Sequence, residues 1–179
     1  MADAGWYAAA DAFSYWPAPL ADQRVLYSFH MYEPYAAIGA PNFKRAKPYQ
    51  YPGSVPYGDG EQNWDAARVA SYVGQPFQWA EAHGVPRSRV VAGEFGCMRR
   101  QPFCTRYLEG VLTALDVRAA HWAFYSFRED SWDGMDYELG SEKVNWKYRE
   151  AIDAGKPDPV KRKATPQFEP IRKRLVPAG

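Results

Sequence analysis

Glu94, His30 and Tyr32 have the side-chain types and the positions that site chemistry requires. Glu94 follows a short apolar segment, residues 89–93, so a strand there would present its carboxylate at the strand's end. His30 and Tyr32 lie two residues apart at the end of another apolar segment, and side chains two apart on a strand share a face. The alternatives are an ion-paired or helix-capping surface glutamate for Glu94 and a hydrogen-bonded core histidine for His30.

The elements that would position these residues alternate along the chain. Strands are predicted at 24–29, running on to Tyr32, at 89–93 and at 119–127. Helices are predicted at about 63–84, around 108–115, at about 144–154 and near 167–175, the first with a kink at 74–76. This order favours an α/β fold with a parallel sheet and right-handed crossovers.

Polar side chains follow each predicted strand. His30 and Tyr32 follow the first, Glu94 follows the second, and Arg128 and Glu129 follow the third. The carboxyl ends of the strands are where a (β/α) barrel keeps its active site. Arg128, Glu129 and Asp130 suit either the wall of a cleft or a solvated charge cluster.

Two stretches predict loops. Residues 1–22 favour a loop with a helical turn at about 8–15, and residues 33–60 are rich in Pro, Gly and Tyr with little periodicity. A loop as long as the second is usually functional. The subsite preferences of a binding cleft would lie in residues 35–60 and 128–140.

Composition narrows the class of protein. The chain has 179 residues, 46% of them hydrophobic and 16% aromatic, with a net charge of +1. One domain with a real core is expected, and no overall field favours nucleic acid or membrane partners. Aromatic rings stack on sugar faces but also fill ordinary cores. Residues 156–174 hold seven basic and two acidic residues, which favours a solvated basic tail over a phosphate-binding patch.

Cofactor, redox and targeting signals are weak. Cys97 and Cys104 fit either a local disulfide or two free thiols, and neither a zinc pattern nor a redox motif. His30, His83 and His121 show no metal-ligand spacing, so neither a metal nor another cofactor is expected. The chain starts without a signal-peptide pattern, and no apolar run approaches the ~20 residues of a membrane span.

Four segments together resemble glycoside hydrolase family 5, the cellulase family. Residues 27–34 are similar to its His-x-Tyr segment after the sixth strand, and residues 91–96 (Val-Ala-Gly-Glu-Phe-Gly) to its nucleophile motif after the seventh. Residues 121–127 resemble the eighth strand, and residues 132–140 resemble the loop that follows it. The resemblance runs from about Leu20 to Gly155 with order and spacing intact.

The resemblance implies a role for each matching position. Glu94 would be the nucleophile of a retaining hydrolase acting on β-linked glycans, by default β-1,4-glucan. His30 and Tyr32 would hydrogen-bond the nucleophile and the sugar. The aromatic platform of the eighth strand would fall on Tyr125 or Phe127, and Trp132 in the loop would also contact substrate. The resemblance favours a secreted or periplasmic protein, although the chain carries no targeting segment.

One departure from the family is large. The family's acid/base glutamate lies in an Asn-Glu-Pro motif after the fourth strand, and this sequence has none; Glu33-Pro34 belongs to the His-x-Tyr segment instead. A whole barrel takes ~250 residues. The resemblance therefore implies a partial TIM (β/α)8 barrel, roughly strands 6 to 8 with their helices, over residues 1–155, followed by the basic tail at 156–179.

An unclosed barrel would have exposed strand edges and an uncovered inner face. The expected partners are a β-glycan and either a complementary N-terminal barrel half or a second copy of the chain. The first hypothesis is the C-terminal piece of a glycoside hydrolase, weakly active alone because its acid is missing. The alternative is a non-catalytic, self-assembling half-barrel that binds carbohydrate.

Overall fold

The computed structural model of the chain describes residues 1–128, 134–144, 146–158, 160 and 163–175. Its strands are β1 (Ala2–Asp3), β2 (Tyr27–Met31), β3 (Gly53–Tyr57), β4 (Gly60–Trp64), β5 (Val90–Phe95) and β6 (His121–Trp122). Its helices are α1 (Tyr35–Ile38), α2 (Ala66–Ala82), α3 (Cys104–Asp116), α4 (Trp146–Asp153) and α5 (Glu169–Leu175). Strands and helices alternate, so the predicted α/β class with a parallel sheet is confirmed.

The parallel sheet has the strand order β1-β2-β5-β6. The sequence predicts three strands, but Ala2 and Asp3 pair in parallel with Tyr27 and Ser28 and add a fourth. The rest of the predicted N-terminal loop contains 3-10 turns at Trp6–Ala8 and Ala10–Tyr15. A two-residue strand is too short to leave a period in the sequence, and only its pairing with β2 reveals it.

The segment 33–60 is more structured than the sequence predicts. It contains α1, a 3-10 turn at Ala40–Lys44, and β3, which forms an antiparallel hairpin with β4. The hairpin buries Val55 and Trp64 completely. Its strands carry Pro56 and several polar residues, so no alternation of apolar and polar side chains marks them in the sequence.

Helix α2 begins after Asp65, one of the two residues, Asn63 and Asp65, whose side chains can cap a helix in this stretch of sequence. The Asp65 carboxylate accepts a hydrogen bond from the Arg68 backbone N–H at 2.8 Å, as an N-cap side chain does. The helix continues through Pro76 to Ala82, and Gly84 follows it with φ +65°, the left-handed conformation that glycine adopts easily. Residues 74–76, where the sequence predicts a kink, therefore lie inside the helix and do not end it.

The main core lies between the sheet and helices α2 and α3. Tyr27 and Phe29 of β2 are fully buried, with their rings 5.0 Å from Trp79 and 6.0 Å from Phe77 of α2. Helix α3 contributes its own buried apolar side chains, among them Leu108 and Leu112. This face of the sheet is covered by helices, which leaves the opposite face to carry Ser28 and His30.

The third predicted strand is shorter than expected. β6 covers only His121–Trp122, paired with Val91 and Ala92, rather than residues 119–127. The chain still follows β5 beyond it, because the Ala123 N–H donates to the Ala92 carbonyl at 2.9 Å and the Tyr125 N–H to the Phe95 carbonyl at 2.8 Å. Tyr125 thus lies beside the C-terminal end of β5.

The described part of the tail packs against the domain. Ile171 of α5 is fully buried, and the Arg174 guanidinium pairs with the Glu109 and Asp116 carboxylates of α3 at 3.2 and 2.6 Å. Residues 163–175 therefore do not form the solvated extension that the sequence favours. The apolar side of a seven-residue helix is too short a signal to predict this packing from the sequence.

Candidate active site

A β-bulge places Glu94 and His30 on the same face of the sheet. The parallel register pairs Phe29 with Ala92 but His30 with Glu94, so Gly93 is the extra residue of β5. A shift of one residue turns a side chain to the other face of a sheet. Without the bulge, Glu94 would lie on the face of Met31 and Phe95, which is buried under the helices.

Glu94 has two polar neighbours on that face. The Tyr32 hydroxyl donates a hydrogen bond to Glu94 Oε2 at 2.9 Å, and His30 Nδ1 lies 3.7 Å from the same oxygen. The Glu94 side chain is 40% exposed, so the carboxylate remains open to a ligand. Among the residues that the structure describes, none donates to its other oxygen, Oε1. The arrangement leaves one carboxylate oxygen held and one available.

Tyr32 is a neutral hydrogen-bond donor in this arrangement. Burial raises the pKa of its phenol well above the usual range, and the nearby Glu94 carboxylate raises it further. Ionised phenolate beside a carboxylate would place two negative charges in contact. Tyr32 therefore keeps its proton and donates a hydrogen bond to Glu94 Oε2.

The backbone at the end of β2 is fixed by Tyr107 of α3. Its hydroxyl lies 3.3 Å from the Met31 carbonyl and 3.0 Å from the Glu33 carbonyl, and its side chain is fully buried. Met31 and Glu33 flank Tyr32 on both sides. Tyr107 thus sets the position of the residue that contacts Glu94.

Tyr137 joins the end of β5 to the segment that follows β6. Its hydroxyl donates to the Tyr125 carbonyl at 2.9 Å and accepts from the Cys97 N–H at 3.1 Å. Burial raises the pKa of Tyr137 above its usual range, so it too stays protonated. Tyr137 therefore holds the Tyr125 backbone, whose N–H donates to the Phe95 carbonyl at 2.8 Å, beside the end of β5.

The other predicted contact residues are less well placed by the structure. The Phe127 ring is 64% exposed and lies 4.9 Å from the Arg128 guanidinium, which pairs with Glu138 at 2.6 Å. No contact among the described residues joins Phe127 to Glu94. Trp132, Glu129 and Asp130 lie outside the described residues. Of the two positions that alternation offers for the aromatic platform, Tyr125 is the one whose backbone pairs with the end of β5.

The loop after Glu94 is closed by a disulfide. Cys97 and Cys104 are bonded to each other, and both are fully buried. The sequence leaves this pairing open, because two cysteines seven residues apart suit bonded and free thiols alike. The bond links the segment after the nucleophile motif to the start of α3.

Gly96 is required by close approach. A Cβ at this position would lie 2.5 Å from the Tyr125 carbonyl oxygen and 2.7 Å from both the Met135 sulfur and the Tyr137 hydroxyl. Gly96→Ala should therefore lower the free energy of unfolding by about 1–3 kcal/mol, the usual cost of overpacking. Urea unfolding measures it. Gly60→Ala, where the added Cβ meets nothing within 4 Å, is the control and should change stability by less than ~0.5 kcal/mol. Equal effects at the two positions would contradict this account.

Sequence reasoning misses Tyr107, Tyr137 and a polar cluster at the edge of the site. In that cluster the Asp11 carboxylate accepts hydrogen bonds from the Tyr57 hydroxyl at 2.8 Å and the Tyr72 hydroxyl at 3.0 Å. These residues come from the N-terminal segment, the hairpin and α2. No local pattern links them. The sequence hints at this cluster only through Tyr72, a tyrosine on the buried side of the amphipathic helix α2, because a buried hydroxyl needs a hydrogen-bond partner.

The described residues include no group of three or more His, Cys, Asp or Glu side chains that could hold a metal ion. Within the same residues, no helix has the length and apolar character to cross a membrane. The site itself consists of the half-exposed Glu94 carboxylate with the Tyr32 phenol and the His30 imidazole beside it.

Comparison with known proteins identifies the class. The sequence model of the family Cellulase (glycosyl hydrolase family 5) matches residues 1–131. The match covers most of the chain and includes β1, β2, β5 and β6 together with Glu94. The chain belongs to this family, and its α/β fold is of the TIM-barrel type.

Solved structures agree on the fold. The chain is similar to an endoglucanase, with a TM-score of 0.53, 23% identity and coverage of 71% of this chain and 39% of that one. It is also similar to the cellulose synthase subunit Z of Clostridioides difficile, with a TM-score of 0.55, 17% identity and coverage of 82% and 46%. For Thermotoga maritima Cel5A in complex with cellobiose, the TM-score is 0.52, the identity 15% and the coverage 79% and 43%.

The chain thus spans less than half the length of these structural relatives. No curated protein matches it.

Proposed function

We propose that this chain is the C-terminal part of a retaining glycoside hydrolase that cleaves β-linked glycans, with Glu94 as the nucleophile. In this proposal β2, β5 and β6 correspond to barrel strands 6 to 8, and β1 lies before them. The observation that carries the proposal is the Tyr32–Glu94 hydrogen bond at 2.9 Å on the strand-end face that β2 and β5 share. Membership of the cellulase family and similarity to an endoglucanase support the reaction class. β-1,4-Glucan is the proposed substrate.

Glu94 Oε1 would attack the anomeric carbon of the sugar. Its bond to that carbon forms as the bond to the leaving oxygen breaks, which gives a glycosyl-enzyme that water then hydrolyses. Tyr32 and His30 would hold Oε2, and the neutral Tyr32 phenol would lower the negative charge on the carboxylate without competing for the sugar. A second carboxyl, ~5 Å away, must protonate the leaving oxygen.

We propose that this second carboxyl lies in an N-terminal barrel half. The described sheet ends at β1 on one side and β6 on the other, and the matched part of the chain covers only 39% and 46% of two of its structural relatives. A general acid supplies about 10²–10⁴-fold. The chain alone should therefore hydrolyse unactivated glucan weakly.

The nucleophile can be tested without that acid. The reagent is an aryl β-glycoside whose nitrophenolate leaving group departs without being protonated. Fluorine at the second carbon of its sugar slows hydrolysis of the glycosyl-enzyme. Incubation of the full chain with this reagent should add one sugar to the protein, and peptide mass spectrometry should place it on Glu94. Labelling elsewhere, or equal labelling of Glu94→Gln, would exclude Glu94 as the nucleophile.

Tyr32→Phe should slow this labelling by about tenfold or more. The substitution removes a hydrogen bond to a charged group, worth about 1.5–3 kcal/mol, and leaves the aromatic ring in place. The rate of mass increase measures the effect. Tyr15→Phe, at a tyrosine that is 86% exposed, is the matched control and should label at the unaltered rate. Unchanged labelling of Tyr32→Phe would show that this hydrogen bond does not act on the nucleophile.

The open sheet favours one second candidate, a half-barrel that pairs with another copy and binds glycan without cleaving it. His121 and Ala123, at the β6 edge, are exposed. An unpaired strand edge is a surface on which another strand can add. Size-exclusion chromatography with oligosaccharide titration separates the candidates, because a discrete dimer that binds glycan and resists labelling would support the second.

A further inference from the structure

A cavity of about 480 Å³ lies beside Glu94 and is bordered by its neighbours His30 and Tyr32. Its walls include Tyr7, Tyr32, Tyr35 and Tyr72, and its polar lining comes from His30 and Glu33. The volume is within the ~300–1,000 Å³ of small-ligand pockets. His30 and Tyr32 border both the cavity and Glu94, so a ligand in the cavity would lie next to the nucleophile.

The cavity is acidic as well as aromatic. The partly buried Glu33 carboxylate accepts one hydrogen bond, from the Tyr35 N–H at 2.9 Å, and no described residue donates to its second oxygen. Burial raises the pKa of Glu33, the Tyr35 N–H lowers it, and the nearby Asp11 carboxylate raises it again. Neither a lysine nor an arginine is among the lining residues. Within the part of the chain that the structure describes, no lysine or arginine pairs with this carboxylate.

Asp11 cannot relieve this charge, because it lies behind the wall and is itself negative. Its two oxygens are taken by the Tyr57 and Tyr72 hydroxyls. Those hydrogen bonds fix the Tyr72 ring as part of the wall. A ligand that suits the cavity therefore brings positive charge and flat apolar faces together.

A protonated amino sugar has both features. Its ammonium group can pair with a carboxylate, and its C–H faces can lie on tyrosine rings, which also attract cations through their faces. A neutral hexose offers the faces but leaves the Glu33 charge uncompensated. An alkylammonium ion offers the charge but fills little of the wall.

We propose that this cavity binds a protonated amino-sugar residue of a β-glycan, with Glu33 as counter-ion of the ammonium group and the tyrosine rings as the walls. The inference rests on the proposed function, since it makes the cavity a specificity pocket next to Glu94. It assigns Glu33 a binding role that the His-x-Tyr resemblance does not give it.

Isothermal titration of the full chain tests the inference with three neutral or charged disaccharides at a pH at which amino groups are protonated. The β-1,4-linked diglucosamine should bind at least about tenfold more tightly than cellobiose does. It should exceed the N,N′-diacetylated form of diglucosamine by the same factor, as expected for a charge-assisted hydrogen bond. Glu33→Gln should remove that preference. Glu81→Gln, at an exposed carboxylate on α2, is the matched control and should keep the preference.

Three results would overturn the inference. They are equal binding of diglucosamine and cellobiose, a preference that survives Glu33→Gln, and butylammonium binding as tight as that of diglucosamine. If Glu33→Gln does not fold, Tyr35→Ala at a half-exposed wall residue should weaken diglucosamine binding severalfold, and unchanged binding would contradict the proposal. The fluorinated aryl β-glycoside that should label Glu94 is neutral. Labelling of Glu94 without a preference for amino sugars therefore rejects this inference alone. A preference without labelling rejects the proposed function.

Discussion

Glu94→Gln should lower β-glucan hydrolysis by an enzyme completed with an N-terminal barrel half by about 10⁴-fold or more, as loss of a nucleophile does. The amide is nearly the size of the carboxylate but cannot attack the anomeric carbon. Release of reducing ends from β-1,4-glucan measures the loss. The Tyr32 hydroxyl at 2.9 Å can still donate to the amide oxygen, so the fold should be kept.

Two further variants serve as a control and a rescue experiment for this prediction. Glu81→Gln removes an exposed carboxylate and should leave hydrolysis unchanged. Glu94→Ala supplied with azide should form a glycosyl azide, because the small anion can attack from the side that the carboxylate has vacated. If Glu94→Gln keeps more than a tenth of the activity, Glu94 is not the nucleophile.

Tyr107→Ala should lower the free energy of unfolding by about 3–5 kcal/mol, the usual cost of removing a large buried ring. Tyr107 is fully buried, and its ring centroid lies 5.4 Å from that of Tyr51. The loss would also free the Met31 and Glu33 carbonyls that its hydroxyl contacts. Chemical denaturation followed by tryptophan fluorescence measures the change.

Tyr107→Phe separates packing from hydrogen bonding in this prediction. It keeps the ring, so it should cost only about 1–2 kcal/mol, but it should slow labelling of Glu94 because the backbone around Tyr32 is less well held. Tyr15→Ala, at an exposed ring, should change stability by less than ~0.5 kcal/mol. A Tyr107→Ala variant as stable as the Tyr15 control would show that α3 does not support this end of the sheet.

Both predictions concern one sheet edge, where the proposed nucleophile and the residues that support it come from different elements. Glu94 comes from β5, Tyr32 follows β2, and Tyr107 belongs to α3. Such a site works only if the sheet register and the helix packing are both correct. It therefore links the stability of the core to the geometry of the carboxylate.

The sequence by itself determines the alternation of the main strands and helices, and it places Tyr32 and Glu94 near the ends of β2 and β5. Apolar period and capping chemistry are local properties, so α2 starts after Asp65, and Tyr32 and Glu94 come near strand ends, as predicted. The family resemblance assigns those segments, in their order along the chain, to the sixth, seventh and eighth strands of a barrel.

Only the tertiary structure decides which side chains meet. The bulge at Gly93 turns Glu94 to the face of His30, and only the packing of the two strands shows why this position is a glycine, because a Cβ there would collide with Ser28 Oγ on the neighbouring strand. The β1 strand and the cavity around Glu33 likewise depend on partners distant in the chain. A period in the sequence reports which residues are buried, whereas register and cavities depend on how separate segments pack.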